Sequence, residues 1–282
     1  MDVELTLAKG VIIALAGCAA GFINAIVGSG TLISFPTLLG AGFEKIAANM
    51  ANNIGLAPGS FSAVVGYRRE LVGQRRRLLI LGPASALGGL TGALLLLNLP
   101  STAFQTVVPF LVLLGVVLVL AQPIVTKRLK DRQAESDRLS GASGPADGTQ
   151  ETQETQGTQG TGRAERISPL LIVVVFLTGI YGGYFGAGQG VILTGLLGMA
   201  LRDDMQRINA AKNVLASLVN GVAATVFILL RPISWAPAIL IAVGSVIGAQ
   251  IGAKVGRKIP PNVLRALIAV VGLVVAVKLF LS

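Results

Sequence analysis

A chain of 282 residues that is 53% hydrophobic and only 13% charged lies outside soluble globular composition, where about a quarter of residues are charged; its apolar residues run in long blocks, so it belongs to the membrane class. It has no histidine and a single cysteine, Cys18, which excludes an internal disulfide and a Cys/His metal cluster and removes the usual general base. The net charge of +10 sits in the connections between apolar blocks, so it reads as topology-setting charge rather than as a nucleic-acid surface.

In chain order, the first apolar block spans 5–26. Leu15-Ala16-Gly17-Cys18 within it has the form of a lipoprotein cleavage box. However, Asp2 and Glu4 precede the block and Lys9 is its only cation, so the basic leader of a cleaved signal is missing and a retained transmembrane helix is expected. Blocks at 29–41, 46–66, 77–98 and 103–125 follow. A helix needs about 20 residues to cross a hydrocarbon layer of roughly 30 Å. The block at 29–41 reaches only about 20 Å at 1.5 Å per residue. It is predicted to be a half-helix completed by extended backbone at Gly28-Ser29-Gly30, with Pro36 kinking or ending it.

Residues 127–166 carry almost no apolar content and include a Thr/Gln/Glu/Gly run from Gly148, so a disordered linker is predicted there. Lys127, Arg128, Lys130 and Arg132 at its start are placed to lie on anionic headgroups. The second half has blocks at 168–186, 189–201, 207–230, 235–253 and 262–281, the second again too short to span. The expected organisation is a first transmembrane repeat over 1–126, the linker over 127–166 and a second transmembrane repeat over 167–282.

The halves match at a constant offset of 160 residues: Gly28 and Gly30 with Gly188 and Gly190, Asn49 and Asn53 with Asn209 and Asn213, Ser85, Gly88 and Gly92 with Ser245, Gly248 and Gly252. Such duplication in an apolar chain marks a transporter built from two structural repeats. Cations crowd the connection after the third block (Arg68, Arg69, Arg75, Arg76, Arg77), the linker start, and the connection before the last block (Lys254, Arg257, Lys258, Arg265). These three regions are expected in the cytoplasm. Block 77–98 then runs outward and its partner 235–253 runs inward, so the fold class is an all-α polytopic membrane protein of two inverted five-segment repeats. The expected location is the cell inner membrane, multi-pass, with both termini periplasmic and the linker cytoplasmic.

Helices that start at glycine turns aim unpaired amides and a positive dipole end at whatever lies beyond, which makes an anion site. Gly28, Ser29, Gly30 and Thr31, with Gly188, Gln189 and Gly190, are therefore candidate binding residues, close helix packing without a ligand being the other reading of the glycines. Asn49, Asn52 and Asn53 align with Asn209, Lys212 and Asn213, and positions four apart share a helix face that must turn away from lipid. Asn49, Asn53, Asn209, Lys212 and Asn213 join the candidate set, with hydrogen bonding between helices alone as the other reading of the asparagines. Lys212 breaks the repeat's symmetry; it either charges the site or snorkels to the headgroups. Asn24 and Tyr184 lie beside the turns as further contacts. Ser85, Gly88, Gly92 and their copies read as close-packing stripes. Glu44, Asp203 and Asp204 sit at block boundaries, so an intramembrane carboxylate relay is not expected.

The stretches GFINAIVGSGTLISFPTLLG and AANMANNIGLAPGSFSAVVGYRREL resemble the first repeat signature of the sulfite exporter TauE/SafE family, and GIYGGYFGAGQGVIL with INAAKNVLASLVNG resembles its second. The resemblance covers nearly all of the chain outside the linker, with Gly-Ser-Gly-Thr where members often carry three glycines. It implies a permease for small sulfur-containing anions such as sulfite or organosulfonates, working by alternating access. An anion or small-solute channel on the same frame is the alternative. Expected partners are that anion and membrane lipids, with a homodimer left open; no enzyme activity, cofactor, metal or nucleic acid is expected.

Overall fold

The structure, a computed structural model, describes residues 5–141, 167–201 and 203–255, together with positions 270, 273, 274 and 277. It is helical, with no strand among the described residues. The first half holds α1 (Leu7–Ile26), α2 (Thr31–Gly40), α3 (Lys45–Gly66), α4 (Arg75–Asn98) and α5 (Ser101–Gly141). The second holds α6 (Pro169–Tyr184), α7 (Gln189–Ala200), α8 (Met205–Leu230) and α9 (Trp235–Val255). The last apolar block, 262–281, lies outside the described residues except for Val270, Leu273, Val274 and Val277, which are exposed.

Local chemistry sets the helix starts. Thr6 caps α1 by accepting from the Lys9 amide, Ser168 caps α6 ahead of Pro169, and Asp204 caps α8 by accepting from the Gln206 amide at 2.8 Å. Among the described residues, five helices are long and apolar enough to cross a membrane: α1, α4, the 101–121 part of α5, α8 and α9. The second segments are short as predicted, 10 residues in α2 and 12 in α7. One boundary moves. α5 continues to Gly141, so residues 127–141 of the predicted linker are helical. The Leu, Lys, Arg, Gln, Ala and Glu in that stretch are good helix formers, and low hydrophobicity does not prevent an existing helix from propagating. The remainder of the linker, 142–166, lies outside the described residues.

Small residues set how the helices pack. Along α1 and α9, Gly17 meets Ile241, Gly21 meets Ser245, and Gly248 meets Cys18 and Phe22, so the two run parallel. Along α4 and α6, Gly88 meets Phe176 and Gly179, while Gly92 meets Ile180 and Tyr184, again parallel. Each pair joins a first segment to the fourth segment of the other half. The Ser85 hydroxyl donates to the Leu215 carbonyl at 3.0 Å and the Ser245 hydroxyl to the Gly55 carbonyl at 2.8 Å; donors and acceptors are both 160 apart. The predicted packing stripes are the seams themselves. α3 runs parallel to α9, with Gly55 on Ile241 and Gly66 on Ala253. It runs antiparallel to α8, because Ser60 meets Asn220 while Tyr67 packs with Ala210. α5 buries Phe104, Val108, Val112 and Val116 on one stripe and exposes Phe110, Leu114 and Val117 on the other.

One end of the bundle is held by charge. Asp203 accepts from Arg77 at 2.9 Å and from Arg207 at 2.8 Å, joining the start of α4 to the start of α8. Gln74 donates to the Arg207 carbonyl at 2.9 Å, and Arg207 donates to the Val72 carbonyl at 3.0 Å. With Asp203 and Arg77 only 15% and 11% exposed, these charge-assisted bonds are expected to matter. Asp203→Asn should lower the unfolding temperature in detergent by roughly 3–10 °C, from about 1.5–3 kcal/mol. Thermal unfolding followed by Trp235 fluorescence checks this; an unchanged midpoint at low salt would show the clamp to be idle.

Candidate functional site

The site is built where two helices break. After α1, the chain turns through Gly28 at φ +85°; after α6 it turns through Gly186 and Gly188 at φ +79° and +80°. A side chain in this left-handed region is strained, and glycine is not. The two breaks touch. The Gly190 amide donates to the Gly28 carbonyl at 3.0 Å, and a Cβ at Gly28 would lie 2.3 Å from the Gly190 Cα. One first-turn amide of α7 is thus used between the repeats rather than left open. Gly30 packs against the Ala20 carbonyl, and Gly188 rests on Gly115 of α5.

Beside this contact lie Ser29 and Gln189, equivalent positions in the two halves. Both are buried, and Ser29 Oγ and Gln189 Nε2 have no hydrogen-bond partner. Each can donate, and a buried donor without a partner is costly. Gln189 lies over Gly182, where a Cβ would come within 2.3 Å of its Cδ. Thr31 accepts from Asn52 Nδ2 at 3.3 Å, and the Ser34 hydroxyl donates to Asn52 Oδ1, so the start of α2 is fastened to α3.

The predicted asparagine face does not gather at one point. It divides between the two broken helix ends. Asn49 Nδ2 donates to the Tyr184 carbonyl at 2.9 Å, at the end of α6. Asn209 and Asn213 donate to the Ala25 carbonyl at 3.3 and 3.2 Å, at the end of α1. Lys212 Nζ donates to the Asn24 and Ala25 carbonyls at 3.2 and 3.3 Å. Lys212 is fully buried, so of its two sequence readings the snorkelling one does not describe this structure. Last-turn carbonyls lack intrahelical partners, and these side chains satisfy them. Asn49 and Asn53 each keep a buried Oδ1 without a partner.

Two polar residues escaped the sequence reading. Ser60 Oγ accepts from Asn24 Nδ2 at 3.3 Å and from Asn220 Nδ2 at 2.9 Å. Ser60 and Asn220 are themselves 160 apart, so equivalent positions meet where α3 crosses α8. The signal was available: both lie seven residues beyond Asn53 and Asn213, on the same helix face. At the end of the bundle away from the Asp203 clamp, a cavity of about 290 Å³ lies among Ile46, Met50, Leu97, Leu99, Ser101 and Arg231. No group of three or more His, Cys, Asp or Glu able to hold a metal occurs among the described residues.

The family model described as sulfite exporter TauE/SafE matches residues 13–279. Among curated proteins, the chain is 25% identical over 274 residues to the probable membrane transporter protein ORF9 of Sinorhizobium sp., covering 94% of this chain and 90% of that one. It is 25% identical over 250 residues to a probable membrane transporter protein of Haemophilus influenzae, covering 88% and 84%. It is 24% identical over 261 residues to the probable membrane transporter protein YfcA of Escherichia coli, covering 92% and 85%. No solved structure gives a significant match.

Proposed function

This chain belongs to the sulfite exporter TauE/SafE family, and from that premise we propose that it carries small sulfur-containing anions, sulfite or organosulfonates, across the inner membrane by alternating access. The observation that carries this reading is the pair of equivalent buried donors, Ser29 and Gln189, left without partners beside touching helix breaks. An oxyanion satisfies them, and amides of the α2 and α7 first turns add a favourable dipole. Gly28, Gly30, Thr31, Gly188 and Gly190 shape the turns. Asn49, Asn209 and Asn213 hold the broken ends in place, Asn53 lies buried on the same helix face as Asn49, and Lys212 lends positive charge from behind α1.

The halves act as inverted repeats in this reading, supported by the antiparallel crossing of α3 and α8 and by the reciprocal α1–α9 and α4–α6 seams. The clamp end is assigned to the cytoplasm. Tyr67, Ala210 and Ala253 pack together there, which brings the arginine-rich connection after α3 beside Lys254. The clamp then closes the inner side while the cavity lies at the outer, and transport opens them in turn. The termini are placed in the periplasm and the linker in the cytoplasm.

The test is labelled-sulfite uptake into vesicles containing the purified protein, with taurine-type sulfonates as competitors. Saturable flux is expected, reduced at least about tenfold in a Ser29→Ala, Gln189→Leu double variant, as about 1.4 kcal/mol of lost binding or barrier lowering would give. Flux that never saturates would favour the channel instead. Unchanged flux in the double variant would remove these side chains from the site.

A further inference from the structure

Among the described residues, Lys212 is the only charged side chain that is buried. A buried ammonium is costly unless paired. Here its partners are carbonyl oxygens, those of Asn24 and Ala25 at 3.2 and 3.3 Å. Both distances exceed those of an ideal charge-assisted bond, so the ammonium is shared between two oxygens rather than fixed on one. These oxygens belong to the last turn of α1, which carries the negative end of the helix dipole. Below it the chain breaks at Gly28.

The carbonyls at the end of an interrupted helix inside a membrane protein are natural ligands for a bare cation, and transporters use such ends to hold sodium. Two asparagines, Asn209 and Asn213, point their amide groups at the same Ala25 oxygen. Two carbonyl oxygens, those of Asn24 and Ala25, therefore face the Lys212 ammonium, and the two asparagine N–H groups share the Ala25 oxygen with it. The other half lacks this charge. Its equivalent residue, Asn52, is turned to Ser34 and Thr31, and Asn49 alone reaches the Tyr184 carbonyl. The duplication has a lysine at one broken helix end and an asparagine at the equivalent position of the other.

We propose that Lys212 is a tethered cation: its ammonium occupies, on the carbonyls of Asn24 and Ala25, the place a coupling sodium ion would take, so the protein needs no sodium to hold its broken α1 end. This goes beyond the anion reading and does not depend on which anion is carried. It also accounts for the conflict between a strongly unfavourable intramembrane charge and a position on the repeat's polar face.

The experiment compares unfolding temperatures of the full-length purified protein in sodium chloride and in choline chloride at equal ionic strength. Wild type should unfold at the same temperature in both. Lys212→Asn, which copies the other half, and Lys212→Ala, which leaves more room, should be destabilised in choline chloride. Sodium should then raise their midpoints saturably by roughly 5 °C, as an ion binding only the folded state does. Lys212→Arg keeps a charge and should show no sodium response. A wild type stabilised by sodium over choline overturns the proposal, and so do Asn and Ala variants that are equally unstable, or fail to fold, in both salts. No substrate is needed, so absent sulfite flux combined with this sodium pattern would count against the anion reading alone.

Discussion

Replacing Gly28 with alanine is expected to abolish anion flux and to lower the unfolding temperature by roughly 5–15 °C. Two costs add. The residue sits at φ +85°, where a Cβ costs about 1–2 kcal/mol. The new methyl would lie 2.3 Å from the Gly190 Cα and 2.9 Å from its carbonyl carbon, which is backbone and not a side-chain tip that can swing aside. Forcing such a contact costs about 1–3 kcal/mol more. The break must then open, and the Gly190 amide, 3.0 Å from the Gly28 oxygen, loses its acceptor. Gly190→Ala meets the same wall from the other side, with its Cβ 2.4 Å from the Gly28 Cα. Gly40→Ala is the control. Nothing lies within 4 Å of a Cβ there, so it should be neutral or slightly stabilising. The measurements are vesicle flux and the detergent unfolding midpoint. A Gly28→Ala protein with wild-type flux would remove the contact between breaks from the mechanism.

Gly88→Ala and Gly248→Ala should each lower the unfolding midpoint by several degrees, and by similar amounts. A Cβ at Gly248 would fall 1.9 Å from the Cys18 carbonyl oxygen, and one at Gly88 2.2 Å from the Phe176 carbonyl oxygen. Both targets are backbone, so the paired helices must part. Lipid is as apolar as leucine, so close packing rather than water exclusion holds such seams together, and separating them is felt directly. About 1–3 kcal/mol is expected for each. Gly82→Ala tests the geometry, because its Cβ would meet only the Leu218 Cδ1 at 3.2 Å, the far end of a flexible side chain. That variant should be nearly silent. If Gly88→Ala were as silent while Gly248→Ala was severe, the two seams would not be equivalent halves of one architecture.

Which features were legible follows from where their causes lie. The helices were readable because apolar blocks have a length, and length decides whether a segment can cross. The short α2 and α7 came from that rule alone. Polarity alone predicts loss of structure from residue 127, whereas helix formers carry α5 on to Gly141. The glycines of the 160-residue offset were located correctly as packing seams and turns, since a missing Cβ is a steric fact wherever it occurs. Ser60 and Asn220 share the asparagine face by spacing, but their pairing arises only when α3 crosses α8.

By itself the sequence determined the membrane class, the duplication, the broken second segments and the residues at the breaks, all properties of composition, spacing and steric size. Only the tertiary structure decided what those residues touch. The asparagine face looked like one surface, but the crossing of the halves sends Asn49 to the end of α6 and Asn209, Lys212 and Asn213 to the end of α1. The physical reason is that hydrogen-bond partners more than a hundred residues apart are chosen by helix packing, and packing cannot be read from periodicity.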